Sequence, residues 1–421
     1  MAETIPDDLE VSVVQYEALR RHRGFAKASD LLRVILMYTT LLSLRNTALW
    51  AASLGVCTIS RQALERRILA STAWLRHLLA RQLTALVIVP QGLAGIIQRL
   101  ILMDASVVAR RGSPGTEWRL HLSWQPFQQQ PAGVMLSDAH EGEGLDKFPW
   151  QAGDLVIADR GHGFWRNLAV VLQARVYCLI RLTWSNLPLQ RLTGAPFDLC
   201  AWLRGWIGGQ TCAELTVVAQ DDPQRQPLRL IAAPLPPDKA QEAQERVRRQ
   251  AQEAKHPPHP NTLLAAGFCI LITNLPPAYP PALILSLYRL RWQVEWCFRR
   301  WKSLCQLDQL PAYPAAIAEP VLVAKLLLIL LVQHRLNWLP WEQWWAAEET
   351  APVVSSLVQL TYAYVCHLIR PVQGLTPFIN DPARFLRYLR SSRRKRPLQL
   401  TDAARRFGHL LTTQPSLNLV T

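Results

Sequence analysis

The sequence predicts an α/β chain in which a helical N-terminal region leads into a mixed-sheet core that is interrupted by a β-rich insertion. Three observations carry this. Apolar residues recur at helical spacing from Ser29 to Leu83, short strand-like runs follow Gln98, and a long helical segment opens near Ala282. With 421 residues, half of them hydrophobic, the chain can bury two or three cores and is not a mainly disordered protein.

In the first region, residues 1–95, Ser29 and Asp30 offer capping oxygens before Leu31, and Ser60 does the same for a second long helix. Leu64, Ile68, Leu75, Leu78 and Leu79 share one face of that helix, with Arg61, Arg66, Arg76 and Arg81 mostly elsewhere. Leu44 to Leu69, with Ala51 inside and Gly55 at the turn, has the outline of a helix-turn-helix that would place a helix in a major groove. A plain helical hairpin with arginines on its wet face fits the same residues.

The core opens in residues 96–182. Leu100 to Met103 ends at Asp104, Glu117 to Trp124 alternates apolar and polar, Leu155 to Ala158 ends at Asp159, and Val176 to Leu182 follows a helix. Residues 183–266 behave as the insertion, with strands expected at Leu215 to Val218 and Leu228 to Ala232 and a charged helix near Asp238 to Lys255. Residues 267–335 resume the core with a strand from Phe268 to Thr273, broken by Asn274-Leu275-Pro276-Pro277. Residues 336–421 form a C-terminal helical and basic region, with Trp338, Trp341, Trp344 and Trp345 near its start and the run Arg393 to Arg396 toward its end.

Composition narrows the partners. Lys plus Arg number 46 against 31 Asp plus Glu, a formal charge of +15 and an isoelectric point near 9.9, which favours a polyanion such as nucleic acid. The eight cysteines are scattered without a C-x-x-C pair, as expected of reduced thiols rather than a zinc module or disulfide frame. Met1 to Glu10 is acidic and polar, unlike a secretory signal, and Lys325 interrupts the apolar run Val321 to Val332. A cytoplasmic protein with no membrane span is expected.

The chemistry concentrates between Tyr288 and Lys302. On a helical wheel Tyr288, Arg291, Glu295 and Lys302 fall on one stripe of a helix otherwise rich in Leu, Val, Trp and Phe. Such a stripe is costly to bury unless its charges are used, although a solvated face with an Arg291–Glu295 pair would also satisfy the spacing. Two carboxylates upstream weigh against that reading, because Asp104 and Asp159 each end an apolar strand, where a side chain emerges toward a ligand. With Glu295 they supply three hard oxygen ligands suited to Mg²⁺, and two such ions can activate a nucleophile and stabilise a leaving oxygen at a phosphate. The reaction class is phosphodiester hydrolysis and transfer.

Tyr288-x2-Arg291-x3-Glu295-x6-Lys302 resembles the Tyr-Arg-Glu-Lys signature of the insertion-sequence-four family of bacterial transposases. Asp104, the Asp159-Arg160-Gly161 turn, Thr273-Asn274-Leu275 and Ser60-x-x-Ala63-Leu64 fall in the order that family shows, although Ala105-Ser106 and His162 depart from its pattern. The resemblance implies a ribonuclease-H-like core with its first strand ending at Asp104, and catalytic metal ligands at Asp104, Asp159 and Glu295. It implies two Mg²⁺ ions, for which Mn²⁺ can substitute, and cut-and-paste transposition through hairpin ends. Arg291, Lys302 and Tyr288 would contact the DNA backbone; Trp292 could stack on an unpaired base, but a core position suits it better. The implied partners are the terminal inverted repeats of its own element, target DNA and a second copy of the chain in a synaptic homodimer at the bacterial nucleoid. A catalytically silent DNA-binding relative and a plain metal-dependent nuclease are the alternatives.

Overall fold

A computed structural model of the chain describes residues 8–20, 24–85, 96–110, 112–113, 115–205, 211–311, 315–336 and 354–371. The tryptophans from Trp338 to Trp345 and the basic run Arg393 to Arg396 lie outside them. Five helices come first: α1 (Leu9–Gln15), α2 (Ala28–Leu41), α3 (Leu44–Ser53), α4 (Arg61–Ala70) and α5 (Thr72–Ala85). Ser60 caps α4 as expected, its Oγ accepting from Ala63 N at 3.2 Å. Ser29 and Asp30 do not cap α2; the helix starts at Ala28, whose N–H donates to Glu10 Oε1 of α1 at 2.9 Å. The expected single helix after Ser60 is divided at buried Ser71, whose Oγ turns back to Arg67 O at 2.7 Å. Between α3 and α4 the chain turns through Gly55 at φ 65°, and Ala51 is buried.

Ten strands then build one sheet. They are β1 (Arg99–Val108), β2 (Trp118–Gln125), β3 (Gln130–Asp138), β4 (Asp154–Ala158), β5 (Tyr177–Arg181), β6 (Leu189–Gln190), β7 (Pro196–Phe197), β8 (Ala213–Ala219), β9 (Leu228–Pro234) and β10 (Phe268–Thr273). The spatial order is β3-β2-β1-β4-β5-β10-β9-β8-β6-β7. The first five form the expected ribonuclease-H-like arrangement, an antiparallel meander followed by two parallel neighbours. Helix α6 (Trp165–Gln173) crosses between β4 and β5. The inserted strands extend this same sheet, because β10 pairs antiparallel with both β5 and β9. Helices α7 (Leu199–Arg204), α8 (Pro237–Glu253) and α9 (Pro260–Ala266) accompany them.

Thr273 and Asn274 clip the insertion to the core. Thr273 Oγ1 donates to Cys178 O at 2.6 Å, while Asn274 accepts from Cys178 N at 2.8 Å and donates to Val176 O at 2.9 Å. Beyond this clip come α10 (Pro281–Tyr288), α11 (Trp292–Ser303), α12 (Ala318–Leu336) and α13 (Val354–Ile369).

The sheet separates two apolar layers. Leu100, Leu102, Leu155 and Ile157 face a core shared with α1 to α5 and α10 to α13, whereas Met103, Val156 and Ala158 face α6 and residues of the insertion. The N-terminal helices therefore close around the same core as α12. That helix with its lead-in, Ala315–Leu336, is long and apolar enough to cross a bilayer, but it is buried inside the protein. Even Lys325 is 1% exposed, its Nζ has no hydrogen-bond partner, and burial lowers its pKa to about 8.

Candidate active site

Asp104 is not the last residue of its strand. Pairing with β2 continues through Asp104↔Leu122 to Val108↔Trp118, so β1 runs four residues farther than the apolar pattern predicted. What ends near Asp104 is the parallel pairing with β4, whose partners run from Arg99↔Asp154 to Leu102↔Ile157. Two steps on, the same register sets Asp104 beside Asp159. Both belong to the alternation that carries Leu100 and Leu102 on one strand and Leu155 and Ile157 on the other, and so point to the layer that contains α11.

A buried ion pair fixes that register at the opposite end of the strands. Arg99 donates from Nε and Nη2 to the two carboxylate oxygens of Asp154, each at 2.6 Å, and Asp154 also accepts from Gln151 N at 2.8 Å. A slip of one residue would separate the pair and turn one of the two aspartates to the other face.

The segment from Tyr288 to Lys302 is not one helix. A 3₁₀ turn at Arg289–Arg291 separates α10 from α11, which corrects the single-wheel geometry. Arg291 nonetheless reaches Glu295, with Nη2 donating to Oε1 at 2.6 Å, and its Nη1 lies 4.0 Å from Asp104 Oδ2. The side chain of Arg291 is only 11% exposed, so the i,i+4 pair exists but not on a solvated face. Tyr288 is buried beside it with an unpartnered hydroxyl. Lys302 Nζ donates to Val107 O at 2.9 Å, tying α11 to β1. Trp292 is 53% exposed, not a core residue as expected, and Trp296 stands exposed one turn along; Arg291 and Arg299 lie over the two rings.

The two aspartates differ in their electrostatics. Burial raises Asp104 to about 6, reinforced by Asp159 and Glu295 and opposed by the Ala105 amide and Arg291. Asp159 is half-buried, and that desolvation alone would raise it. Its contacts with His162 Nδ1 at 3.0 Å and Gly161 N at 2.9 Å outweigh burial and hold it below the usual carboxylate range. His162, one of the positions departing from the family pattern, is thus a buried partner of Asp159 and is itself fixed through its carbonyl by Asn167 Nδ2 at 3.1 Å.

Sequence reasoning missed Glu143. Its carboxylate, Asp159 and His162 bring three potential ligand atoms within 4.8 Å of one another, a cluster that could hold a cation. Gly161 permits this approach, since a Cβ there would stand 3.1 Å from Asp159 Oδ1 and 3.2 Å from Glu143 Oε2. The signal available in sequence was the Glu141-Gly142-Glu143-Gly144 stretch, too ordinary a loop composition to single out. Among the described residues Asp104 and Glu295 do not join so tight a cluster; Arg291 stands between them.

Raising the Asp104 pKa has a consequence for stability. Its folded value, about 6, lies above the ordinary 3.8, so folding favours the protonated form; that contribution is present below about pH 4 and is lost as pH rises through 6. At 1.36 kcal/mol per unit the ionised group costs up to about 3 kcal/mol at neutral pH. Asp104→Asn is therefore expected to melt above wild type at pH 7.5 in chelator, with the gap closing toward pH 4. Thermal melts across that range check it, and a gap independent of pH would contradict it.

Residues 97–331, more than half of the chain and the whole span from β1 into α12, match the model of the Transposase DDE domain family. The chain belongs to that family. It is 33% identical over 339 residues to the transposase for insertion sequence element IS421 of Escherichia coli, covering 78% of this chain and 90% of that protein. The putative transposase InsL for insertion sequence element IS186A of Escherichia coli strain K12 is likewise 33% identical, over 338 residues, with the same coverage. A piggyBac transposase, in a synaptic complex with hairpin DNA, aligns over 93% of this chain and 84% of its own at a TM-score of 0.43 and 9% identity. The transposase thus acts on DNA as a cutting and strand-transfer enzyme related to those of insertion sequences.

Proposed function

We propose that this transposase nicks the ends of an insertion sequence of the insertion-sequence-four type and joins them to target DNA, with Asp104, Asp159 and Glu295 as its catalytic carboxylates. The observation that carries this is the register of β1 against β4, which sets the two aspartates side by side on the face toward the helix of Glu295. The donor set suits a hard divalent cation such as Mg²⁺ or Mn²⁺: Asp104 is a partly buried carboxylate whose ionisation is unfavourable until a cation offsets it. When bound, one or two such ions supply Lewis-acid stabilisation of the oxygens entering and leaving phosphorus.

The chain's own groups do the rest. Asp104, Asp159 and Glu295 would hold the cation, with Asp159 kept ionised and oriented by His162 and the Gly161 amide. Arg291 is placed to receive a phosphate by its planar fork, Lys302 by its ammonium, and the hydroxyl of Tyr288 to bond the same backbone. Exposed Trp292 offers a stacking face to an unpaired base at a hairpin end. Helices α1 to α5, with Arg61, Arg66, Arg76 and Arg81 exposed, form a DNA-binding region that docks the terminal inverted repeats in a homodimeric synapse within the bacterial cytoplasm.

The test is a Mg²⁺-dependent nicking and strand-transfer assay on DNA carrying the ends that flank the gene. Nicking followed by joining supports the reading; hydrolysis without joining assigns a plain nuclease, and binding without cleavage a silent relative. Affinity for those ends should fall steeply with salt, as it does when many phosphates are neutralised by Lys and Arg. A flat plot of log affinity against log salt contradicts the basic surface as the docking face.

A further inference from the structure

We infer that Arg291 is an internal stand-in for the divalent cation, so that DNA and metal load the active site together. The inference rests on the assignment of Asp104, Asp159 and Glu295 proposed above. The guanidinium sits between two of those carboxylates, bonded to Glu295 Oε1 at 2.6 Å and 4.0 Å from Asp104 Oδ2. Its side chain is only 11% exposed, its Nε has no partner among the described residues, and it holds one of the two oxygens with which Glu295 would ligate an ion.

An ion at Glu295 and a guanidinium on the same carboxylate compete, because Mg²⁺ binds carboxylate oxygen at about 2.1 Å and repels a neighbouring cation. Losing Arg291 from Glu295 without a new partner would leave a buried charge bare, which is costly. A DNA phosphate at the site supplies that partner and matches the fork of the guanidinium. Phosphate therefore draws Arg291 off Glu295 and frees the carboxylate, and by reciprocity the ion strengthens the hold on DNA. The metal-free chain is kept neutralised by its own arginine and gains a competent site only on DNA.

Mn²⁺ binding followed by electron paramagnetic resonance tests this without reading turnover. In the absence of DNA, Arg291→Gln is expected to bind Mn²⁺ at least about fivefold tighter than wild type, the lower end of ordinary coupling between two ligands. Arg299→Gln removes the same charge from the exposed side of the adjoining α11 and should change affinity by less than about twofold, as a remote screened charge does. Duplex DNA carrying the ends that flank the gene should tighten Mn²⁺ binding by wild type and do little for Arg291→Gln. If the glutamine fails to fold, Arg291→Met keeps the packed stem and gives the same comparison.

Equal DNA-free affinities for wild type and the Arg291 variants, or equal tightening by Arg299→Gln, overturn the inference. The catalytic reading fails separately. If Asp104→Asn and Glu295→Gln leave Mn²⁺ affinity untouched, the ion is not held there and both readings fall; if they weaken it while the Arg291 variants do nothing, only the stand-in role is lost.

Discussion

Asp104→Ala, Asp159→Ala and Glu295→Ala are each expected to lower the rate of end cleavage by more than about 10³-fold while leaving DNA binding nearly unchanged, on the scale of removing a principal electrostatic stabiliser. The reasoning separates two jobs. The carboxylates carry no attraction for phosphate and slightly repel it, so in chelator, where no ion couples to the DNA, deleting one is not expected to weaken docking by Lys and Arg. On the proposed assignment, what is lost is the set of oxygens that would position a cation against the reacting phosphate. The Asp159 variant has a further effect, since His162 and the Gly161 amide both lose the acceptor that holds them. Gel-shift affinity and nicking measured on the same preparations check the separation, and cleavage near the wild-type rate removes the substituted residue from the site.

Asp154→Ala is expected to destabilise the fold by about 3–5 kcal/mol, the cost of breaking a buried ion pair from one side. Its two oxygens take both bonds from Arg99 and one from Gln151 N, and the side chains of Arg99 and Asp154 are 8% and 1% exposed. Removing the carboxylate strands a guanidinium in the sheet. Replacing both residues by apolar ones, Arg99→Met with Asp154→Leu, should recover much of the loss, because the desolvation of two charges disappears with them. Urea unfolding of the single and double variants measures this. Equal losses in both would mean that the pair is worth more than its burial costs.

The order of the core strands could be read from the sequence because each strand is short, apolar and ended by a polar or turn residue. The end of β1 could not, since its last four residues, Ala105 to Val108, are held by the hairpin with β2 rather than by their own apolar pattern. The break at Arg289–Arg291 was hidden for a related reason. Periodicity over Tyr288 to Lys302 is compatible with a continuous helix, and the sequence marks no Pro or Gly at the turn. Spacing and family order singled out Asp104, Asp159 and Glu295 as the proposed site; Glu143 and the hold of His162 on Asp159 gave no such signal, being products of a loop folding back over the end of β4. Trp292 illustrates the remaining gap: hydrophobicity suggests burial, and only the packing of Val294, Cys297, Phe298 and Trp301 against the core reveals which side of α11 faces out.

The placement of Glu295 on a helix that follows ten strands has a consequence for how the enzyme is born. On the ribosome, at about 5–20 residues per second, the segment bearing Asp104 emerges roughly 10–40 seconds before the one bearing Glu295. During that interval β1, β4 and β5 can pair, and the two aspartates can already be set side by side. The apolar faces of α2 and α5, however, have no α12 to close on, since its residues are made later still. A nascent chain thus holds the two aspartates under an open hydrophobic layer, and on the proposed assignment the third carboxylate arrives shortly before the helix whose burial completes the core.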